Sequence, residues 1–176
     1  AIVQDGKVIS MRGYGVTDAR GTEPVTTDTV FRLASLSKSF AGTLAALLVQ
    51  DGSLRWDVRV ADQLPAFKLA DLQDTQSLTV RDILSQRAGL THNTYDRDLE
   101  SDVPYELLVQ KLAQAPLACA PGNCYAYQNV AFSLIGDIVF ALTGDFYSHQ
   151  VEKRIFNPLG MYNSSYGRDA LEASPS

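Results

Sequence analysis

Residues 35–50 read SLSKSFAGTLAALLVQ, and this stretch organises the rest of the sequence. From residue 40 onward it is apolar almost all round, which predicts a buried helix. Gly52 follows closely, where a glycine commonly terminates a helix. Residues 30–34, VFRLA, precede the stretch and indicate a short extended segment. The sequence therefore predicts a strand-to-helix junction near residue 35.

Ser35 and Lys38 lie three positions apart at this junction, so their side chains share one helical face. A serine hydroxyl becomes a good nucleophile when a neighbouring base takes its proton. An amine in a dry pocket can act as that base, because desolvation lowers the pKa of an amine. The free N–H groups at a helix start also favour developing negative charge. The alternative is an accidental match, since Ser-x-x-Lys is a short pattern.

The composition restricts the class of protein. With 176 residues, 45% of them hydrophobic, the chain is one ordinary globular domain or part of a larger one. A net charge of −5 without a basic stripe argues against a nucleic-acid partner. No apolar run reaches the roughly 18 residues that a membrane span needs, so none is predicted.

Metal ligands and cofactor motifs are not apparent in the sequence. His92 and His149 lie far apart and lack cysteine or carboxylate partners at ligand spacing. We interpret both as ordinary surface or loop residues. The sequence therefore predicts neither a metal nor an organic cofactor.

Cys119 and Cys124 flank the turn-forming residues 120–123, APGN. A short disulfide loop is expected here, which implies an oxidising compartment and a periplasmic or secreted bacterial protein. The spacing differs from the Cys-x-x-Cys pattern of redox and zinc sites. The alternative is a pair of reduced, half-buried thiols. The sequence begins at Ala1 without a methionine or signal peptide, so we expect a processed or excised form.

The strand signals are confined to the first part of the sequence. Asp5-Gly6 between two apolar segments predicts a hairpin within residues 1–34. Residues 35–176 show helical patterns, and a lone hairpin is too small a sheet to be stable. We therefore expect an incomplete α+β fold whose downstream strands are absent from this sequence. Helices are predicted over residues 80–86 with Thr79 as N-cap, 105–114, 129–143 and 147–156.

A second polar motif, YQN, occupies residues 127–129 before one of these helices. A tyrosine acts as a general base only where nearby positive charge lowers its pKa. Lys38 could supply that charge, and Asn129 could hold Lys38 and bind a substrate amide. The alternative is a core tyrosine followed by an ordinary N-cap asparagine.

These motifs, taken together and in order, resemble the serine β-lactamase and penicillin-binding protein superfamily, in its class C branch. Residues 35–38 match its Ser-x-x-Lys box. Residues 127–129 match its Tyr-x-Asn box, with Pro-Gly before it and Leu-Ile-Gly after it. Residues 78–84 (LTVRDIL) and 158–161 (PLGM) are similar to further family segments. The resemblance implies a β-lactamase/transpeptidase-like fold, here the N-terminal hairpin plus the helical subdomain.

The resemblance implies an acyl-enzyme mechanism. Ser35 would attack a β-lactam, a D-Ala-D-Ala-type peptide or a small ester, and Lys38 and Tyr127 would share the proton transfers. Either could be the base in acylation. Asn129 would orient Lys38 and the substrate amide. Three alternatives remain: an esterase or D-Ala-D-Ala carboxypeptidase or D-aminopeptidase of the same fold, a non-catalytic penicillin-binding module, and a helical structural domain with accidental boxes.

Two departures from the family pattern stand out. Residues 85–88 (SQRA) lack the usual His-Thr-Ser pattern, which we expect to alter local packing rather than chemistry. The third box, Lys-Thr-Gly or His-x-Gly, is missing, since residues 142–144 (LTG) end a helix and lack the cation. The strand that carries this box supplies one oxyanion N–H group. We therefore expect residues 1–176 to be nearly inactive by themselves. The expected partner is the missing C-terminal segment, either in the same chain or as a second chain.

Overall fold

The computed structural model describes residues 1–173. The chain divides into two compact units. One comprises Ala1–Ala34 together with the segment that starts at Ser165, and the other comprises Ser35–Ser164. The larger unit is helical and contains all the residues that the sequence singled out for chemistry.

The hairpin of the smaller unit forms as the sequence predicts. Strands β1 (Ile2–Gln4) and β2 (Lys7–Ser10) pair antiparallel. Asp5 and Gly6 both adopt positive φ angles, 49° and 72°, as a tight type I′ turn requires. Every strand residue is exposed except Ser10, which is half-buried. The expected α+β composition, with one two-stranded sheet and many helices in the described residues, is confirmed.

The junction before the first helix differs from the expectation. Residues 30–33 form no strand in the described structure, so the predicted strand-to-helix junction is wrong. A strand needs a neighbouring strand to bond with, and apolar residues alone do not provide one. Ala34–Ser37 instead form a 3₁₀ turn that leads directly into helix α1 (Lys38–Gln50).

Helix α1 forms as predicted, but only one face of it is buried, whereas a stretch that is apolar almost all round predicts burial on every side. The buried residues, Ala41, Leu44, Ala45 and Leu48, repeat at helical spacing. Gly52 follows with φ of +81°, the left-handed conformation expected after a helix end. The ring of Phe40 meets that of Phe156 edge-on at 5.3 Å, which packs α1 against the last helical segment of this unit.

Helix α7 (Val130–Thr143) is the central helix of the larger unit and contributes seven buried residues to its core. Gly144 ends it with φ of +69°, so residues 142–144 terminate a helix, as expected. The shorter helices around it are α2 (Val60–Gln63), α3 (Leu72–Ser77), α4 (Val80–Leu84), α5 (Asp96–Glu100), α6 (Tyr105–Lys111) and α8 (Tyr147–Val151), and α9 (Arg168–Glu172) follows in the smaller unit.

Three of the predicted helices differ from the structure at their C-terminal ends, and the first of them, α4, ends at Leu84 rather than at residue 86. Thr79 caps α4 through a reciprocal capping box with Asp82, so the predicted N-cap is confirmed. The helix predicted over residues 105–114 changes to a 3₁₀ turn at Leu112–Gln114. The helix predicted over residues 147–156 continues beyond α8 as a π-helical turn, Glu152–Phe156.

Within the described residues, none of the helices alone has both the length and the apolar character for a membrane span. The pair Val130–Thr143 and Tyr147–Phe156 meets those criteria jointly, but it is bent by 80°.

Candidate active site

Ser35 lies in the 3₁₀ turn before α1, and its side chain is exposed. Lys38 is the first residue of α1, one turn further along. Because of this spacing, Lys38 Nζ donates a hydrogen bond to Ser35 Oγ at 3.3 Å. The turn and helix start thus place the hydroxyl and the amine within reach of each other.

Tyr127 approaches Ser35 from a part of the chain 92 residues away. Its hydroxyl donates to Ser35 Oγ at 2.8 Å. Lys38 Nζ lies 4.8 Å from the Tyr127 ring centroid and 5.4 Å from that of Phe132, so two aromatic faces hold the amine. The structure therefore brings the hydroxyl, the amine and the phenol into one cluster.

The environment of the phenol changes its acidity. Burial raises the pKa of Tyr127, and the carboxyl of Asp96 also acts in that direction. Hydrogen bonding with Lys38 and Ser35, together with the charge of Lys38, outweighs both effects. The pKa of Tyr127 is consequently lowered from its usual value of 10.0, which favours a role as a proton acceptor.

Asn129 precedes α7, but its side chain makes no capping bond to that helix within the described chain. Its Oδ1 accepts a hydrogen bond from Lys38 Nζ at 2.5 Å. Its Nδ2 donates to Asp96 Oδ2 at 2.8 Å. The interpretation of Asn129 as an ordinary N-cap therefore does not describe its contacts.

Asp96 is a residue of this cluster that sequence reasoning missed. It begins α5 and lies 33 positions before Asn129. Neither its spacing nor its neighbours form a motif with the two boxes. Only the fold brings it to Asn129.

Known proteins are similar in the sequence and the fold that carry this geometry. The Beta-lactamase family model matches residues 1–175. The chain belongs to this family. It is 34% identical over 154 residues to penicillin-binding protein 4 of Amycolatopsis lactamdurans, covering 87% of the chain and 38% of that protein. It is 30% identical over 181 residues to the esterase EstB of Burkholderia gladioli, covering 94% and 45%.

Solved structures show the same fold. The octameric penicillin-binding protein homologue from Pyrococcus abyssi superimposes with a TM-score of 0.85 at 24% identity, covering 98% of this chain and 41% of that one. The D-amino acid amidase from Ochrobactrum anthropi SV3 gives 0.68 at 32% identity, covering 84% and 40%. The β-lactamase/transpeptidase-like fold is thus confirmed. The chain spans less than half the length of these relatives.

In this member of the Beta-lactamase family, hydrogen bonds with the segment after α4 hold the Tyr-x-Asn box in place. Gln86 accepts a bond from the backbone N–H of Gln128 at 2.7 Å through its side-chain oxygen. Its own backbone carbonyl accepts from the N–H of Ala126 at 2.9 Å. The side-chain amide of Gln128 donates to the carbonyl of Thr91, and the N–H of Asn93 donates to the carbonyl of Tyr127 at 2.9 Å. These bonds fix the backbone on both sides of the phenol.

The expected disulfide between Cys119 and Cys124 is present and lies just before this box. The loop it closes is bonded to the segment after α4, since the N–H of Gly122 donates to the carbonyl of Arg87 at 2.8 Å. Gly89 lies against the same loop, and a Cβ there would be only 2.4 Å from the carbonyl oxygen of Cys119. Residues 85–88, which lack the His-Thr-Ser pattern, contact this loop through the Arg87 carbonyl.

The two histidines differ in their positions. His149 is exposed and bonds Asp145 within its own helix region. His92 is also exposed, but its ring centroid lies 6.2 Å from that of Tyr127, so it borders the site. Among residues 1–173, no cluster of three histidine, cysteine or acidic side chains could hold a metal ion.

Proposed function

We propose that this chain is the nucleophile-bearing part of a serine hydrolase that acts through an acyl-enzyme on Ser35. The observation that carries the proposal is the convergence of two proton-transfer groups on one hydroxyl. Tyr127 OH lies 2.8 Å from Ser35 Oγ, and Lys38 Nζ lies 3.3 Å from it. Both distances suit a proton transfer from the attacking hydroxyl.

In the first step, Ser35 Oγ attacks the substrate carbonyl, and its proton passes to the Tyr127–Lys38 pair. That proton then goes to the leaving nitrogen or oxygen as its bond to the carbonyl carbon breaks and the acyl-enzyme forms; in a β-lactam the ring opens and the amine stays attached to the acyl group. Water next attacks the ester carbonyl while Tyr127 accepts its proton, and Tyr127 returns that proton to Ser35 Oγ as the ester bond breaks. Because the phenol and the amine are coupled, the acylation base belongs to the pair rather than to one residue.

The substrate we propose is a β-lactam or a related amide, handled as in the class C branch. Support comes from the tyrosine in the second box and from the likeness to a penicillin-binding protein. Two relatives favour alternatives with the same residues: the esterase EstB suggests an ester, and the D-amino acid amidase suggests a D-configured amide. A penicillin-capturing module without turnover is a further alternative. The Cys119–Cys124 disulfide supports a periplasmic or extracellular location.

We further propose that residues 1–176 have little activity by themselves. The matched relatives extend well beyond the aligned region, and the third box with its oxyanion N–H group would lie there. Losing one oxyanion donor costs about 10²- to 10³-fold in rate. The missing segment, supplied covalently or as a second chain, should restore the rate.

The test compares the 176-residue chain with the full-length gene product. Each is incubated with benzylpenicillin, p-nitrophenyl butyrate and a D-amino acid amide, and product formation and the intact mass are followed. We expect turnover by the full-length product and an adduct on Ser35, with S35A inactive. A stable penicillin adduct without product would indicate capture, and equal activity of S35A would refute the proposal.

A further inference from the structure

We propose that Asp96 is a positioning residue that fixes the amide of Asn129 and, through it, holds Lys38 against Ser35. This inference rests on the proposed function for its kinetic test, but the contacts that carry it are independent of any substrate. They form a continuous line of side chains from Asp96 to the nucleophile.

Hydrogen-bond polarity fixes the orientation of the Asn129 amide. A carboxamide has an oxygen that only accepts and a nitrogen that only donates, in nearly the same shape. An ionised carboxylate only accepts, so Asp96 Oδ2 requires the Nδ2 side of Asn129, which lies 2.8 Å away. This leaves the Oδ1 of Asn129 to face Lys38 Nζ at 2.5 Å.

The reverse orientation of the Asn129 amide is unfavourable. If the amide turned over, its NH₂ group would face the donor Lys38, and its oxygen would face the carboxyl of Asp96. Both contacts would be repulsive. Without Asp96, only the contact to Lys38 would select the orientation. Asp96 therefore keeps the Oδ1 of Asn129 turned towards Lys38, and Lys38 Nζ stays 3.3 Å from Ser35 Oγ.

The backbone just before Asp96 has an unusual conformation. Tyr95, immediately before it, has φ of +64°, a left-handed conformation that is uncommon for a large side chain. The hydroxyl of Tyr95 donates to the carbonyl of Lys111 at 3.0 Å, and Lys111 Nζ lies 4.5 Å from the Tyr95 ring centroid. The N–H of Asp96 also donates to the carbonyl of Asn93 at 3.1 Å. The surrounding contacts thus hold an unfavourable backbone geometry that directs Asp96 to Asn129.

The second carboxyl oxygen of Asp96 is unfavourable for folding. Asp96 Oδ1 is buried and has no hydrogen-bond partner in the part of the chain that the structure describes. A buried carboxyl oxygen without a partner is unfavourable for folding. Asp96 thus lacks a hydrogen bond at Oδ1 but accepts one from Asn129 at Oδ2. A role in positioning Asn129 explains this aspartate better than a contribution to folding stability does.

The kinetic test uses three variants of the full-length gene product and measures the rate of Ser35 acylation. D96A should lose about 10- to 100-fold, since it leaves the amide of Asn129 without its charged acceptor. D96N keeps the shape and an acceptor oxygen, so it should lose less than D96A. E100Q removes one negative charge from an exposed position on the same helix and should match the wild type.

A double-mutant cycle then asks whether Asp96 acts through Asn129. In an N129A background, D96A should cost no more than about twofold, because the group it positions is already gone. The same loss in both backgrounds would overturn the proposal. So would D96A at wild-type rate, or D96N as impaired as D96A, since the latter would indicate charge rather than orientation.

A measurement without substrate separates this inference from the proposed function. In ¹⁵N-labelled protein, the side-chain amide signal of Asn129 is assigned by its disappearance in N129A. We expect its proton shift to move towards that of a free amide in D96A and to stay unchanged in E100Q. An unchanged signal in D96A would refute the positioning role. Wild-type protein that never acylates Ser35 would refute the proposed function alone.

Discussion

Replacing Tyr127 by phenylalanine removes one hydroxyl and leaves the ring that contacts Lys38 in place. The lost group makes the 2.8 Å bond to Ser35 Oγ. As a hydrogen bond that is partly open to solvent, it should contribute only about 1 kcal/mol to folding stability. As a general base, it should contribute about 10²- to 10⁴-fold in rate, or roughly 3–5 kcal/mol in the barrier. The expected loss in the reaction barrier is larger than the expected loss in folding stability, so measuring both distinguishes a catalytic role of the hydroxyl from a structural one.

The assay measures acylation of Ser35 and product release separately in the full-length gene product. We expect Y127F to lose at least about 100-fold in product release while its unfolding free energy changes by about 1 kcal/mol. Y125F is the matched control, since Tyr125 lies two residues away in the same loop and is 69% exposed. It should behave as the wild type. Y127F with a rate within a few-fold of the wild type would refute the assigned role.

The pH dependence adds a second readout for the same residue. The pKa of Tyr127 is lowered from its usual value of 10.0. In the mechanism that we propose, its deprotonated form is the base. The rate should therefore be highest above that pKa and fall as the pH drops through it. Y127F should lack this limb. If Y127F still acylates normally but accumulates acyl-enzyme, Lys38 is the acylation base and Tyr127 serves only hydrolysis.

Three further predictions concern stability. G89A should destabilise the chain by about 2–3 kcal/mol, because φ is +84° and the new Cβ would meet a carbonyl oxygen at 2.4 Å; urea unfolding measures this. Removing the Cys119–Cys124 disulfide should cost about 2 kcal/mol by the loop-entropy estimate, visible as a lower melting temperature. Hydrogen bonds from Ser53 and Arg154 lower the pKa of Asp51 to about 2, so D51N should lose less stability than the wild type between pH 5 and pH 2.

Each of these predictions has a control or a contradicting outcome. G42A is the control for G89A, because Gly42 lies inside α1 with open space around its Cβ position, and the change should be neutral or stabilising. A cysteine-free variant that melts with the wild type would contradict the role of the disulfide. For Asp51, the carboxyl contributes stability above its unfolded pKa near 4 and loses it as the pH falls towards 2. Parallel stability curves for D51N and wild type would contradict this account.

The parts of the structure that follow from local interactions were accessible from the sequence. The Asp5-Gly6 turn, the capping box at Thr79 and the glycine after α7 each depend on neighbouring residues. The Ser35–Lys38 pair is also local, since one helical turn joins them. By contrast, residues 30–34 were predicted to be a short extended segment before the helix, and the structure forms no strand at residues 30–33 and a 3₁₀ turn from Ala34.

The family, the helical subdomain with its hairpin, and the residue types available for chemistry follow from the sequence, because these depend on short motifs and on periodicity. The supporting contacts around these motifs depend on the fold. Asp96 and Gln86 reach the Tyr-x-Asn box across 33 and 42 positions of chain, through hydrogen bonds that leave no periodic pattern in the sequence. Such contacts are set by how buried helices pack, and packing is a property of the whole core rather than of any segment.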